Sequence, residues 1–244
     1  MPLLSGKDSL VNFAIVSPVK FSKIGCLALL VGLDCTASIF SQPAADTRVS
    51  TVGGPQLPEL LPRQKEIDIA LSAAPEHLRK GATVYVLERN GFVKVRDSAN
   101  GFTCIVNRDH PLNQKPVCFD AEGTATILPK ILRFGELLMQ GKTMSEIEAE
   151  IAEGFRTGKY ISPRRPGIAY MLSGDIRNFN PRTGKVESFP AHVMFYAPNL
   201  TNADLGTTPE ALAKDPSLPF VAYQGPHGFI IMLANSGKQS HITN

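Results

Sequence analysis

The sequence predicts an α+β fold with an N-terminal antiparallel β-meander, a two-helix hairpin and a C-terminal antiparallel sheet. Short strand-like runs lie in two separate blocks, 83–119 and 168–233, whereas helical spacing of apolar residues dominates the stretch between them. Strands that are segregated from helices along the chain are typical of α+β folds. We therefore assign residues 64–235 to a single α+β domain and residues 236–244 to a frayed tail.

Residues 1–42 have the organisation of a secretory signal peptide. Lys20 and Lys23 precede the apolar run 24–33, and the segment 35–37 offers a small-residue cleavage pattern. A run of about ten apolar residues is too short for a membrane-spanning helix, which needs about 20. We therefore expect an exported protein, periplasmic or extracellular, with no stable membrane insertion after cleavage.

The ends of this segment leave alternatives open. Signal peptides begin close to their basic region, so residues 1–19 indicate either a start codon assigned too early or a long n-region. An uncleaved anchor is the main competing interpretation of the apolar run, whereas Asp34 directly before Cys35 disfavours lipidation. Residues 43–63 are rich in Pro, Ser, Thr and Gly, which predicts a linker.

The charge balance excludes two classes of partner. Without residues 1–42 the chain loses three of its 25 basic and two of its 22 acidic side chains, which leaves a net charge of +2. A charge so close to zero provides no electrostatic footprint for nucleic acid or for an anionic membrane. The expected partner is therefore a protein or a small-molecule ligand, of unknown identity.

Two cysteines remain after cleavage, Cys104 and Cys118. A single pair in an exported domain predicts a disulfide bond, which for a loop of this size contributes about 3 kcal/mol of stability. A redox pair and two metal ligands are the alternatives. Redox pairs have C-x-x-C spacing and zinc sites have close paired ligands, and this pair has neither.

The first half of the domain contains one helix and three short strands. Ile67, Ala70, Leu71 and Ala74 share a helical face, with Glu66 among the charged residues away from it. A strand over 83–87 is followed by Asn-Gly and a strand over 92–96, the strongest short-range signal for a hairpin. A third strand over 102–106 completes the predicted meander, with Cys104 facing inward.

In its pattern of strands, the segment 82–107 resembles part of a bacterial SH3-like barrel. The resemblance covers this meander alone. Three short strands separated by turns are shared by many folds, so it carries no activity, ligand or site residue.

Two helices are predicted after the second cysteine. The first spans about 127–140, with Pro129 near its start and Gly141 just past its end. The second opens with a capping box, Thr143 to Glu146, and carries apolar residues four apart. Before them, Asp120 and Glu122 suit either acid/base chemistry or capping of the following helix, and we favour capping.

The C-terminal block contains four predicted strands. Two of them, over 168–172 and 191–197, are joined by a loop, and two more cover 221–223 and 229–233. A short helix over 209–213 separates the pairs. On the second strand, His192 and Tyr196 share a face, where they suit a base and an orienting donor. A buried histidine satisfied by its neighbours is the competing interpretation.

Asp204 and His227 complete the candidate site. Asp204 follows the strand of His192, and His227 lies in the turn between the last two strands. Two histidines and one carboxylate suit zinc with an open coordination position, although no spacing motif requires a metal and none is assigned. Local turn formation explains the same residues equally well.

Three functional hypotheses remain. Nucleophile elbows, Walker loops and dinucleotide fingerprints are absent from the sequence, which favours an exported binding or interaction protein without catalysis. The alternative is an exported hydrolase, metal-assisted in one version, with a pocket around His192, Tyr196, Asp204 and His227. A structural envelope component is the third hypothesis. The sequence does not identify a cofactor, which stays unknown.

Overall fold

The computed structural model describes residues 56–234, so the predicted signal peptide, most of the linker and the predicted tail lie outside the described residues. The helices are α1 (Arg63–Ser72), α2 (Glu76–Arg79), α3 (Ala121–Thr126), α4 (Leu128–Met139), α5 (Met144–Arg156) and α6 (Pro209–Lys214). The strands are β1 (Thr83–Glu88), β2 (Gly91–Arg96), β3 (Thr103–Asn107), β4 (Lys115–Phe119), β5 (Ile168–Met171), β6 (Arg177–Asn180), β7 (Lys185–Ser188), β8 (His192–Tyr196), β9 (Phe220–Ala222) and β10 (Phe229–Leu233). Within 56–234, no helix has the length and apolar character needed to cross a membrane.

Eight of these strands form one mixed sheet in the order β2-β1-β3-β4-β5-β8-β10-β9, and β6 pairs with β7 separately. The combination of this sheet with the helices confirms the α+β class. The C-terminal strands pair antiparallel as predicted, but they continue the N-terminal strands through the β4–β5 pair. The predicted loop between β5 and β8 contains the β6–β7 hairpin.

The predicted antiparallel meander is wrong in its third strand. The β1–β2 hairpin forms, but β3 lies on the other side of β1 and runs parallel to it. Every residue of β3 except Asn107 is buried, as an inner strand requires, whereas β2 exposes Val93 and Lys94 at the sheet edge. Burial on both faces therefore places β3 inside the sheet, and β2 is left outside.

The two faces of the sheet have different covers. On one, here called the α1 face, Ile69 and Ala70 of α1 and its C-cap residue Ala73 pack with a group of buried residues, which includes Val84, Cys104 and Cys118. On the other, the α4 face, Ile127, Leu128 and Ile131 pack on a group that includes Ile105, Val117 and Phe119. Cys104 and Cys118 are cross-strand partners in the β3–β4 pair and form the predicted disulfide.

The two-helix hairpin is confirmed at its caps. The Thr143 side chain accepts from the backbone N–H of Glu146, and the Glu146 carboxylate accepts from the backbone N–H of Thr143, as in a capping box. Arg133 of α4 donates to Glu150 of α5 at 2.7 Å. The Arg133–Glu150 contact joins α5 to α4, the helix that covers the α4 face.

Candidate functional site

Tyr196, a predicted site residue, is a structural hydrogen-bond donor at the C-terminal end of β8. Its hydroxyl oxygen lies 2.7 Å from Asp120 Oδ1 and 2.9 Å from the carbonyl oxygen of Ile168. Burial raises the pKa of Tyr196, and the neighbouring Asp120 carboxylate raises it further. The hydroxyl therefore stays protonated and cannot act as a base near neutral pH.

Asp120 joins three parts of the chain. Besides the contact with Tyr196, it accepts hydrogen bonds from the backbone N–H groups of Gly123 at 2.9 Å and Ile168 at 2.8 Å. The bond to Gly123 is the N-cap of α3, so the capping interpretation of Asp120 is confirmed. The carboxylate is thus occupied by structural contacts.

Tyr196→Phe should lower the free energy of unfolding by about 1–3 kcal/mol, because it leaves a partly buried carboxylate oxygen without one of its donors. Urea unfolding followed by circular dichroism measures the change. Tyr85→Phe provides a matched control, because the described structure gives its hydroxyl no hydrogen bond. An equal loss in both variants would show that the Asp120 contact contributes nothing.

The two histidines are buried and held by backbone carbonyl groups. His192 Nδ1 lies 2.8 Å from the carbonyl oxygen of Pro190, and His227 Nε2 lies 2.9 Å from that of Ile161. Burial lowers the pKa of His192 and lowers that of His227 to about 4. Both rings are therefore neutral at pH 7, in agreement with the interpretation of His192 as a buried structural histidine.

The structure does not bring the predicted site residues together. His192 pairs with Leu233 at one end of the β8–β10 ladder, whereas Tyr196 pairs with Phe229 at the other, beside the turn that carries His227. Four residues of strand separate these ends by about 13 Å. The ladder therefore keeps His192 away from the end where Tyr196 and His227 lie.

Asp204 is held in a local turn. Its Oδ2 accepts from the backbone N–H of Thr201 at 2.8 Å and from the Thr201 hydroxyl at 2.7 Å. Among residues 56–234, no group of three His, Cys, Asp or Glu side chains is arranged to hold a metal ion. The catalytic roles of the four residues stay a prediction, and no shared site supports it.

A second polar group, which the sequence analysis missed, lies on the α4 face around Lys115. Only 7% of this lysine is exposed, and its ammonium pairs with Asp109 and donates to the Tyr223 hydroxyl at 2.8 Å. Burial alone would lower the pKa of Lys115, but the attraction of Asp109 and the contact with Tyr223 raise it. The sequence signal for this site is a lysine that opens an otherwise apolar strand.

Lys130 adds a further positive charge to this group. It lies in the first turn of α4, partly buried, where its charge interacts with Asp109 and Lys115. Burial lowers the pKa of Lys130; the attraction of Asp109 opposes this shift, and the weaker repulsion by Lys115 adds to it. Within the described chain, Lys130 has no hydrogen bond or ion pair. We call Asp109, Lys115, Lys130 and Tyr223 the lysine cluster.

Among residues 56–234, helices cover only half of the width of the α1 face. Helix α1 packs against β1, β3 and β4, and the same face of β5, β8 and β10 carries partly or largely exposed apolar side chains. Phe195 is 38% exposed and Met232 is 44% exposed. Here we call this surface the open half-face; its members are Ile168, Val193, Phe195, Ile230 and Met232.

Register shows that the open half-face continues the covered core. A row of cross-strand partners runs from Cys104 and Cys118 through Tyr170 and Val193 to Met232. Cross-strand partners lie on the same face of a sheet. The two cysteines at one end of the row are fully buried beneath α1, whereas Met232 at the other end is exposed.

Two shallow depressions lie elsewhere on the described surface. One of about 420 Å³ is lined by residues that include Leu60, Arg63 and Val93, beside the β1–β2 hairpin. The other, of about 370 Å³, lies between Phe102, Glu122 and Arg165. Neither is lined by any of the four predicted catalytic residues.

No family model, no curated protein and no solved structure matches this chain. The functional argument therefore depends on the residues and on their arrangement.

Proposed function

We propose that this protein is exported and acts by binding a partner protein, whose amphipathic helix packs on the open half-face. The observation that carries the proposal is an apolar sheet surface of which the helices within residues 56–234 cover only half. A sheet with an apolar face is stable when another layer of secondary structure buries that face. The open half-face provides the surface for such a layer.

The shape and charge of this surface favour a protein over other ligands. Small molecules bind in concave pockets that bury most of their surface, whereas the open half-face is a sheet surface of three strands. None of its five members carries a charge, so it offers no contact to phosphate groups of nucleic acid. An uncharged apolar partner surface is its complement.

The neighbouring half of the same face supports a helix as the occupant. There, one helix of ten residues, α1, packs on three adjacent strands, with Ile69 and Ala70 among its buried residues. The open half-face is also three strands wide, with about 10 Å between its outer strands. An α-helix with its side chains has a diameter of about 10–12 Å and fits this width.

Export is supported by the disulfide between Cys104 and Cys118. Disulfides persist in oxidising compartments and are rare in the cytosol. The signal-like segment 20–37, which lies outside the described residues, supports the same compartment by its composition.

A photo-crosslinking amino acid at Phe195 or Met232 should capture the partner in cells that produce this protein. The captured peptide, identified by mass spectrometry, should have apolar residues at helical spacing. Phe195→Glu, introduced beside a crosslinker at Met232, should abolish the adduct because it buries an unpaired charge in the interface.

Val186 is the matched control position, because it is an exposed apolar residue (45% exposed) on the separate β6–β7 hairpin. It should give no adduct of the same mass. Adducts with the chain itself alone, or equal capture from Val186 and Phe195, would overturn the proposal.

A further inference from the structure

We propose that Lys115 and Lys130 form a binding site for a small oxyanion, phosphate or carboxylate, with Tyr223 as its cover. This site lies on the α4 face, opposite the open half-face, and is independent of the proposed partner binding. Lys115 shares its side of β4 with Val117 and Phe119, which belong to the core beneath α4.

The first argument is an excess of positive charge. The cluster has two ammonium groups and one carboxylate, and Asp109 pairs directly with Lys115. Asp109 also accepts a hydrogen bond from the Asn113 side chain at 2.7 Å, so its other carboxylate oxygen is already occupied. Lys130 is left without a hydrogen bond or an ion pair in residues 56–234. A partly buried ammonium is stabilised by a counter-ion, and an anion supplies one.

The position of Lys130 strengthens this argument. It is the third residue of α4, whose N-terminal end carries a partial positive charge. A lysine there is repelled by the helix end and by Lys115, and Asp109 is the one carboxylate in the cluster that attracts it. An oxyanion beside Lys130 would relieve both repulsions together.

Tyr223 has the geometry of a cover. Its residue surface is 60% exposed, yet its hydroxyl accepts a hydrogen bond from an ammonium that is almost completely buried. The ring centroid lies 5.4 Å from Lys115 Nζ. Its backbone has a φ of 57°, in the left-handed region, which is costly for a bulky side chain and is typical of ligand-contacting positions.

The same hydroxyl can donate to the ligand. It accepts from Lys115, and the described residues provide no acceptor for its own hydrogen. The turn that begins at Tyr223 also carries His227, whose pKa is lowered chiefly by burial and additionally by the positive charge of Lys130. The turn between β9 and β10 thus borders both lysines. An anion beneath it would receive a charged donor from Lys130 and a neutral one from Tyr223.

Isothermal titration calorimetry of the full mature protein with inorganic phosphate and with acetate tests the site, at an ionic strength held constant with sodium chloride. One anion should bind with 1:1 stoichiometry. Lys130→Met should weaken its binding at least about tenfold, as expected for a lost charged hydrogen bond. Tyr223→Phe should weaken it about fivefold.

Lys185→Met is the matched control, because Lys185 is exposed on β7 and has no side-chain partner in the described structure. It should bind as the wild-type protein does. Circular dichroism of each variant separates misfolding from lost contacts. Tighter binding of phosphate or of acetate identifies the ligand class. Equal affinities in wild type, Lys130→Met and Lys185→Met, or no saturable binding of either anion, would overturn the proposal.

Discussion

Glu66→Ala should lower the free energy of unfolding by about 3–5 kcal/mol, because it leaves a buried guanidinium without its counter-charge. Glu66 is fully buried and Arg108 is 4% exposed; Glu66 Oε2 lies 4.0 Å from Arg108 Nη2. The other oxygen, Oε1, accepts from the backbone N–H of Leu87 at 3.0 Å. Burial lowers the pKa of Arg108, but a guanidinium keeps its proton at neutral pH.

Arg108→Leu should have an effect that depends on pH, because Glu66 can take up a proton. Burial already raises the pKa of Glu66 above its ordinary value, and the variant removes the positive charge that opposes this shift. A carboxyl whose pKa is higher in the folded state binds more protons when folded, so stability falls as pH rises through that pKa. The loss should therefore be larger at pH 8 than at pH 5.

Urea unfolding at both pH values measures these differences. Arg63→Leu is the control, since Arg63 and Glu88 form an exposed ion pair that should contribute less than about 1 kcal/mol. The double variant Glu66→Leu/Arg108→Leu should recover much of the loss, because a buried pair can be replaced by apolar residues at little cost. A Glu66→Ala effect no larger than that of Arg63→Leu would contradict this account.

Loss of the Cys104–Cys118 disulfide should lower the free energy of unfolding by about 3 kcal/mol. The bond closes a loop with a sequence separation of 14, and both cysteines are fully buried beneath α1. In the chain-entropy model, a closed loop of this size restricts the unfolded chain by about that amount. Guanidinium unfolding of wild type and of Cys104→Ala/Cys118→Ala, followed by circular dichroism, provides the comparison.

Alkylation gives a second readout that distinguishes the covalent bond from simple packing. In denatured protein without reductant, neither Cys104 nor Cys118 should react with iodoacetamide, and both should react after reduction. Peptide mapping separates them from Cys26 and Cys35 where the N-terminal segment is retained. Complete alkylation of both residues before reduction would refute the disulfide and remove the structural support for export.

Local patterns predicted much of the secondary structure. Asn90-Gly91 gave the position of the β1–β2 turn, and the Thr143–Glu146 box gave the start of α5. Both signals act within a few residues, because the turn geometry and the capping bonds involve neighbouring groups. The disulfide was also predictable, since removal of the predicted signal peptide would leave a single pair of cysteines.

Burial on two faces was the signal that the meander prediction lacked. Thr103, Cys104 and Ile105 are successive residues and all three are buried, which is characteristic of an inner strand. Period-two alternation alone assigns a strand but not its neighbour. Because both faces of β3 are buried, it lies inside the sheet between β1 and β4, and β2 lies at the edge.

The partners of the buried charged residues were likewise not predictable from local sequence patterns. Glu66 was expected away from the apolar face of its helix, yet it is fully buried because Leu87 and Arg108, from β1 and the loop after β3, meet it there. Lys115 is likewise held by Tyr223, which is 108 positions away in the sequence. Helical or strand periodicity cannot anticipate partners that the sheet order brings together.

What the sequence by itself determined was local: the types of the elements, their caps and turns, the single cysteine pair and a charge near zero. The tertiary structure decided the strand order, the open half-face, the lysine cluster and the separation of His192 from His227. The physical reason is that capping and turn energies depend on adjacent residues, whereas burial and charge pairing depend on distant residues that only the packed sheet makes neighbours.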